Sequence, residues 1–536
     1  MSFSPDHTID VLPTHVSYRP DESVTVEVTV PDGADAVLHV LHLGDQVATM
    51  PVHGSGLVAV EPLPVGGYGV EVHLDGAIAR TAVEVTETPR GRLRYGFVAS
   101  YAPGRDFRDV VRNARRLHLN GIQFYDWAYR HANLRGGGEE YRDALGQPVA
   151  LETVRRLISG LHEAGAEALG YAAVYAVGPE EWPQWQQHAL LQSSGEPYGL
   201  GDFLFLLDPA APEWSAHLAD ELSEAVAVLG FDGFHLDQYG YPRRAVRTDG
   251  SDVDLSDSFV QLIESVRRGV PEARLVFNNV NDYPTWKTGR SAQDAVYIEV
   301  WEPHDTLAAL AQVVTRARAV GSGKPVVIAA YQSVYDQVSA HEADLAASFT
   351  MATLYSHGAT HLLAGEADSV LVDPYYVHNH QVETQTHDLL ARWYDFLVEH
   401  DEVLLDPDIV DVTGSWVGTY NDAADVEYEQ APVSGTAEPG AVWRRISEAG
   451  DGRLVLHLIN LVGQSDQLWD GPKQDPVAIG EGQLRLRRTG DRVPSVRVAD
   501  PDRTPALRDV PVRVEGEYAV ATLPEPRIWQ LVLIEL

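Results

Sequence analysis

Three rhythms of apolar and polar residues follow one another along the chain. Up to about residue 88, short alternating runs such as VTVEVTV (24–30), AVLHVLHLG (36–44) and YGVEVHLDG (68–76) stand between turns of Pro, Gly and Asp. A period of two predicts the strands of a small immunoglobulin-like β-sandwich. From Arg94 to about Asp401, short apolar runs alternate with stretches of helical period, among them FRDVVRNARRLHLN (107–120), LETVRRLISGLHEAG (151–165) and EWSAHLADELSEAVAVLG (213–230). Strand and helix in alternation is the rhythm of a parallel sheet. After the helix-like LLARWYDFLVEHDEVL (389–404), strand patterns return in VWRRISEAG, RLVLHLINLVG and RIWQLVLIEL, which predicts a second, antiparallel β-sandwich. EYEQAPVSGTAEPGA (427–441) reads as a loop within it. The expected domains are 1–90, 91–405 and 406–536, as suits a chain of 536 residues, too long for one core.

The middle region holds eight strand candidates: YGFVASY (95–101), GIQFYDW (121–127), EALGYAAVY (167–175), DGFHLDQ (232–238), RLVFNNV (274–280), AVYIEVW (295–301), PVVIAAY (325–331) and THLLAGE (360–366). Eight strands within about 310 residues predict a central (β/α)8 barrel. No GxGxxG follows a strand, and the glycines of RGGGEE (135–140) lack the Lys-Ser/Thr of a phosphate cradle, which argues against a nucleotide-binding open sheet.

Side chains alternate across a strand, so its phase tells which residues meet the helices and which meet the barrel interior. In AVYIEVW the branched Val296, Ile298 and Val300 suit the helix side, leaving Tyr297, Glu299 and Trp301 inward. In FDGFHLDQ, Phe234 and Leu236 take the helix side, leaving Gly233, His235 and Asp237 inward. Two carboxylates, Asp237 and Glu299, thus converge at the carboxyl ends of the fourth and sixth strands, the end where barrel enzymes do chemistry. Around them, at or just past strand ends, fall Tyr101, Tyr125, Asp126, Trp127, Tyr129, His131, Tyr175, Gln238 and Tyr239. Asn278, Asn279, Asn281, Asp282, Trp301, Glu302, Tyr331 and Glu366 complete the rim. Aromatic faces mixed with amides and acids are what a sugar requires: flat apolar surfaces for its C–H faces and dense hydrogen bonding for its hydroxyls. Paired carboxylates are the equipment of glycoside hydrolysis, which calls for no cofactor and no metal.

Charge narrows the partners. Lys+Arg 40 against Asp+Glu 78 gives a formal charge of -38, which repels nucleic acid and anionic membrane surfaces and leaves a neutral or cationic substrate. The absence of cysteine removes disulfides, thiolate metal sites and Cys nucleophiles. MSFSPDHTIDVLP has neither a basic start nor an apolar stretch, so the chain as written is expected to be cytoplasmic, or secreted with its signal already removed.

YGFVASYAPGRD, GIQFYDWAYRH, DGFHLDQYG and VYIEVWE, in that order between two β-sandwiches, resemble glycoside hydrolase family 66. That family comprises endo-dextranases and cycloisomaltooligosaccharide glucanotransferases acting on α-1,6-linked glucans. The resemblance implies a retaining mechanism, with Asp237 as nucleophile and Glu299 as general acid/base, ~5 to 5.5 Å apart. It also implies that a cyclising member carries a carbohydrate-binding module inserted late in the barrel, whereas only about 28 residues (332–359) separate the last two strands here. Hydrolysis of dextran or of linear or cyclic isomaltooligosaccharides is therefore the expected reaction. Transglycosylation by the same two residues and non-catalytic glucan binding are the alternatives, the last opposed by the presence of both acids.

Blander readings compete at several positions. Asp237 alone would read as a loop cap; Glu302 competes with Glu299 for the acid role, but three residues on and in opposite phase it reads rather as a loop or supporting group. Asp126 and Asp282 would serve equally as loop braces. His235, beneath Asp237, is expected to orient the site. HGATH (357–361) spaces two histidines for a metal only if helical, and reads as structural ahead of the eighth strand.

Overall fold

The computed structural model of the chain describes residues 9–536 except 489. Most of the amino-terminal stretch read for targeting therefore lies outside the described residues, in which no helix is long and apolar enough to cross a membrane. The protein is multidomain and strand-rich, organised around a curled 11-stranded sheet.

Seven strands of that sheet are parallel neighbours in chain order: β1 (Tyr95–Val98), β2 (Gly121–Phe124), β3 (Glu167–Ala173), β4 (Gly233–Asp237), β5 (Arg274–Asn278), β6 (Ala295–Glu299) and β7 (Val326–Ala329). The eighth candidate, THLLAGE, is two short strands. Thr360–His361 pairs with β7, and Ala364–Gly365 pairs with β1. The second pairing needs a glycine, because a Cβ on Gly365 would fall 2.3 Å from the Phe97 carbonyl oxygen. Beyond it, Ser369–Val370 and His380–Gln381 extend the sheet in antiparallel fashion.

Helices cover the outer face, and their boundaries follow local chemistry. Asp254, Thr306 and Ser339 each accept a backbone N–H in the first turn of the helices Leu255–Gly269, Leu307–Gly321 and Ala340–Ser356. Pro212 opens the helix Pro212–Leu229, and Gly230 ends it at φ 88°, the left-handed conformation glycine adopts without strain. Ala340–Ser356 is buried nearly all round, as befits a helix packed between the curled sheet and the carboxyl-terminal strands. Its Ser348, Thr350 and Thr353 satisfy their hydroxyls on the carbonyls one turn back.

Before β1, a four-stranded and a three-stranded antiparallel sheet enclose a core that includes Val26, Leu38, Val70 and Val83. Polar groups dock these sheets on the helix Thr384–Glu399: Arg80 pairs with Glu399, and the Thr81 hydroxyl and the Ala82 N–H bond Asp395, which His118 of the middle region also contacts. After residue 409, a seven-stranded and a four-stranded sheet pack over Val442, Leu456, Leu484 and Val532. The loop-like 427–441 segment lies there, with Val433–Ser434 pairing briefly beside Val442–Glu448.

Candidate active site

Strand register brings the two acids together. Leu236 of β4 pairs with Phe277 of β5, and Asn278 at the end of β5 pairs with Tyr297 of β6. Asp237, beside Asn278, lies one residue beyond the first pair, and Glu299 lies two residues beyond Tyr297. The expected phases hold: His235, Asp237, Tyr297, Glu299 and Trp301 line one cleft, whereas Phe234, Leu236, Val296 and Ile298 are buried away from it in the apolar core. The Asn278 Nδ2 donates to Asp237 Oδ1 over 2.7 Å and to Glu299 Oε2 over 3.0 Å. Two donor bonds leaving one amide nitrogen at about 120° set the two carboxylate oxygens roughly 5 Å apart.

The acids sit in a cleft of about 250 Å³ at the carboxyl ends of the strands. Burial pushes Asp237 up to about 6, opposed by hydrogen bonds from Asn278 and Tyr171, whose hydroxyl lies 2.8 Å from Asp237 Oδ2. Glu299 is pushed up to about 7, first by burial and then by the charge of Asp237, against hydrogen bonds from Asn278, Tyr331 and Trp301. One carboxyl is thus poised to be ionised while its neighbour keeps a proton. His235 is held neutral by burial, its pKa lowered to about 3, and is packed among Tyr95, Tyr171 and Tyr297 with Nε2 4.0 Å from Asp237 Oδ1.

Of the other residues expected at the rim, Tyr125, Asp126, His131, Gln238, Tyr239, Trp301 and Tyr331 line this cleft. Asp126, at φ 46°, is raised to about 8 by burial and by the charges of Asp143 and Asp237. His131 is lowered to about 4 by burial and by Arg130. Gln238 is itself buried, its amide donating to the Asn278 and Tyr283 carbonyls. Trp301 remains 37% exposed and packs against Tyr331, offering its ring to a ligand.

Nine expected residues stand away from the cleft, Tyr129 and Asn281 among them, and most are occupied elsewhere. Trp127 is fully buried and donates to the Tyr171 carbonyl. The Tyr101 hydroxyl is taken up by the Val98 and Tyr125 carbonyls, and that of Tyr175 by the Tyr241 carbonyl and the Tyr239 N–H. Asn279 is buried beneath, bonded to the Tyr297 carbonyl and to Thr288. Asp282 pairs with Arg316, and Glu366 with Arg105 and the Ala99 N–H. Glu302 is exposed on the loop whose carbonyl at that residue accepts from Asn281. It lies outside the cleft, so Glu299 is the acid that neighbours Asp237. The histidines of HGATH follow the end of a helix and are buried on backbone carbonyls, His357 on Thr353 and His361 on Ala330. Among the described residues, no group of three His, Asp or Glu is arranged to hold a metal ion.

Several cleft residues escaped the sequence reading. Tyr171 pairs with His235 in the β3–β4 register, so its inward phase was available from alternation along EALGYAAVY. Tyr376 gave no signal of that kind: it comes from a loop beyond the eighth strand and stacks on Tyr125, 4.4 Å between ring centres. Leu145, Leu200 and Phe203 reach the cleft from long loops after β2 and β3.

Comparison with known proteins identifies the family. Residues 17–533 match the model of glycosyl hydrolase family 66. A cycloisomaltooligosaccharide glucanotransferase of Niallia circulans is 26% identical over 405 residues, which cover 67% of this chain and 41% of that protein. A dextranase of Streptococcus salivarius is 25% identical over 241 residues, covering 39% of this chain and 29% of that one. The chain thus spans well under half the length of these relatives. Among solved structures, a cycloisomaltooligosaccharide glucanotransferase of Paenibacillus sp., complexed with cycloisomaltoheptaose, superposes with a TM-score of 0.87 at 18% identity, over 98% of this chain and 99% of that one. With the family model matched along nearly its whole length and two acids paired in the cleft of its curled sheet, the chain belongs to glycosyl hydrolase family 66.

Proposed function

We propose that the chain is a retaining glycoside hydrolase that cleaves α-1,6-glucosidic linkages of dextran or of linear or cyclic isomaltooligosaccharides. Its curled sheet is read as a (β/α)8 barrel closed by residues 360–365, carried between β-sandwiches at 1–90 and 406–536. The observation that carries the reading is the pair Asp237 and Glu299, bridged by one amide nitrogen at 2.7 and 3.0 Å. A spacing of roughly 5 Å suits double displacement and leaves no room for the water that an inverting enzyme places between its acids.

In the first step an Asp237 oxygen bonds the anomeric carbon as the glycosidic C–O bond breaks, and the Glu299 proton goes to the departing oxygen. In the second, Glu299 takes a proton from water, whose oxygen bonds the same carbon while the ester to Asp237 breaks. The tyrosines around the acids exclude water and supply the stacking surfaces, and neutral His235 packs beneath Asp237 without adding charge.

Transfer to a sugar hydroxyl in place of water is the second reading, supported by the glucanotransferases among the relatives. Incubation with dextran and with isomaltooligosaccharides, followed by chromatography of products, separates the two. Hydrolysis gives reducing sugar from the start, and transfer gives cyclic or elongated products first. Failure to cleave either substrate, with Asp237→Asn indistinguishable from the parent, would defeat both.

A further inference from the structure

Asn278 lies between the strands that carry the two acids and uses one nitrogen for both. Its amide oxygen is buried and has no hydrogen-bond partner among the described residues. Leaving a buried acceptor unsatisfied is costly, so the value of this side chain at this position rests on its N–H groups. An amide cannot exchange protons with a carboxyl at neutral pH, so it acts as a fixed donor.

We infer that Asn278 is a positioning residue that divides the two chemical steps unequally, favouring release of the sugar from Asp237 over its capture. This rests on the double-displacement reading above. Before the first step Asp237 is an anion and its bond to Asn278 is at its strongest. As the Asp237 oxygen bonds carbon its charge is lost and the bond weakens, so the donor slows capture. In the second step the C–O bond to Asp237 breaks, the electron pair returns to the carboxylate, and the donor meets charge as it forms. The other N–H acts in the same direction: it favours ionised Glu299, the form that takes the proton of water, and does not favour the protonated form used in the first step. Loss of this donor therefore raises the barrier of the second step while sparing the first.

Rapid mixing with 2,4-dinitrophenyl α-isomaltoside reads the steps separately, because its leaving group departs without a proton. For Asn278→Ala the expected result is a burst of dinitrophenolate. Steady turnover should then fall about 10- to 100-fold below the parent, the scale of one hydrogen bond to a charged group. Mass spectrometry of quenched samples should find the glycosyl adduct on the peptide containing Asp237. Asn278→Ser, which keeps one hydroxyl donor, should recover part of the second step, and it replaces the alanine variant if that fails to fold. Equal slowing of both phases, or of neither, would overturn the inference. Labelling of the parent at Asp237 by 5-fluoro-α-isomaltosyl fluoride tests the underlying reading separately: no label means that double displacement fails, whereas label with equal slowing means that only the role of Asn278 fails.

Discussion

The Tyr171 hydroxyl lies 2.8 Å from Asp237 Oδ2, on the opposite side of the carboxylate from the Asn278 amide. The bond stabilises the ionised form against the burial that raises this acid to about 6. Tyr171→Phe removes the donor and leaves the ring, so Asp237 should ionise at higher pH. The acid limb of kcat/KM against pH should move up, and kcat, which includes release of the sugar from Asp237, should fall about tenfold. An unmoved limb would mean that Tyr171 serves packing alone.

The unsubstituted protein should give a bell-shaped pH profile. Activity requires Asp237 ionised, which holds above about 6, and Glu299 protonated, which holds below about 7. The maximum is expected between these values, and the two limbs belong to the coupled pair. Product formation from isomaltooligosaccharides in buffers spanning pH 4 to 9 reads it directly.

Trp301 touches Glu299 from the cleft rim and, with Tyr331, holds its proton affinity down. Trp301→Phe keeps an aromatic surface but removes the indole donor, so the alkaline limb should move up while the acid limb stays. Trp301→Ala should in addition raise KM by several-fold, through loss of about 1 kcal/mol or more of stacking surface.

Stability should respond where the amino-terminal sheets dock. Glu399 is fully buried and faces Arg80, which also pairs with Glu71 at 3.2 Å. Glu399→Gln leaves a largely buried guanidinium short of its partner and should cost about 3 kcal/mol, read as a lower denaturant midpoint. Arg80→Met together with Glu399→Leu should recover much of that loss.

Asp401 gives a pH-dependent counterpart. Burial, and next the charge of Glu84, raise its pKa in the folded chain above the unfolded value, against Arg92 and Arg94. The folded state therefore holds a proton that the unfolded state releases, and stability falls as pH rises from the unfolded pKa towards the folded one. Asp401→Asn should remove this dependence. Thermal midpoints at pH 5 and pH 9 should lie closer together in the variant, which should gain on the order of 1 kcal/mol at the alkaline end.

Much of this arrangement was legible in the chain. The alternation of AVYIEVW and FDGFHLDQ gave the facing of Glu299 and Asp237, because a period of two is imposed by the strand itself and an acid in phase with inward residues must point inward. The helices that begin after Asp254, Thr306 and Ser339 rest on chemistry just as local, each set by a side chain meeting its own backbone, though none was among the elements read from the chain. The rim was only half legible. Position just past a strand end does not say whether a side chain turns into the cleft or beneath it, and Tyr101, Trp127, Tyr175 and Asn279 turned beneath because backbone groups there needed partners.

The sequence by itself determined which strand faces are apolar, where the helices begin and which two acids look inward, since those follow from near-neighbour geometry. Tertiary structure alone decided that Asn278 serves both acids and that Tyr376 lies on Tyr125. Those contacts join residues from separate strands and loops, and they depend on how the sheet curls and where each loop folds back, which no periodicity along the chain records.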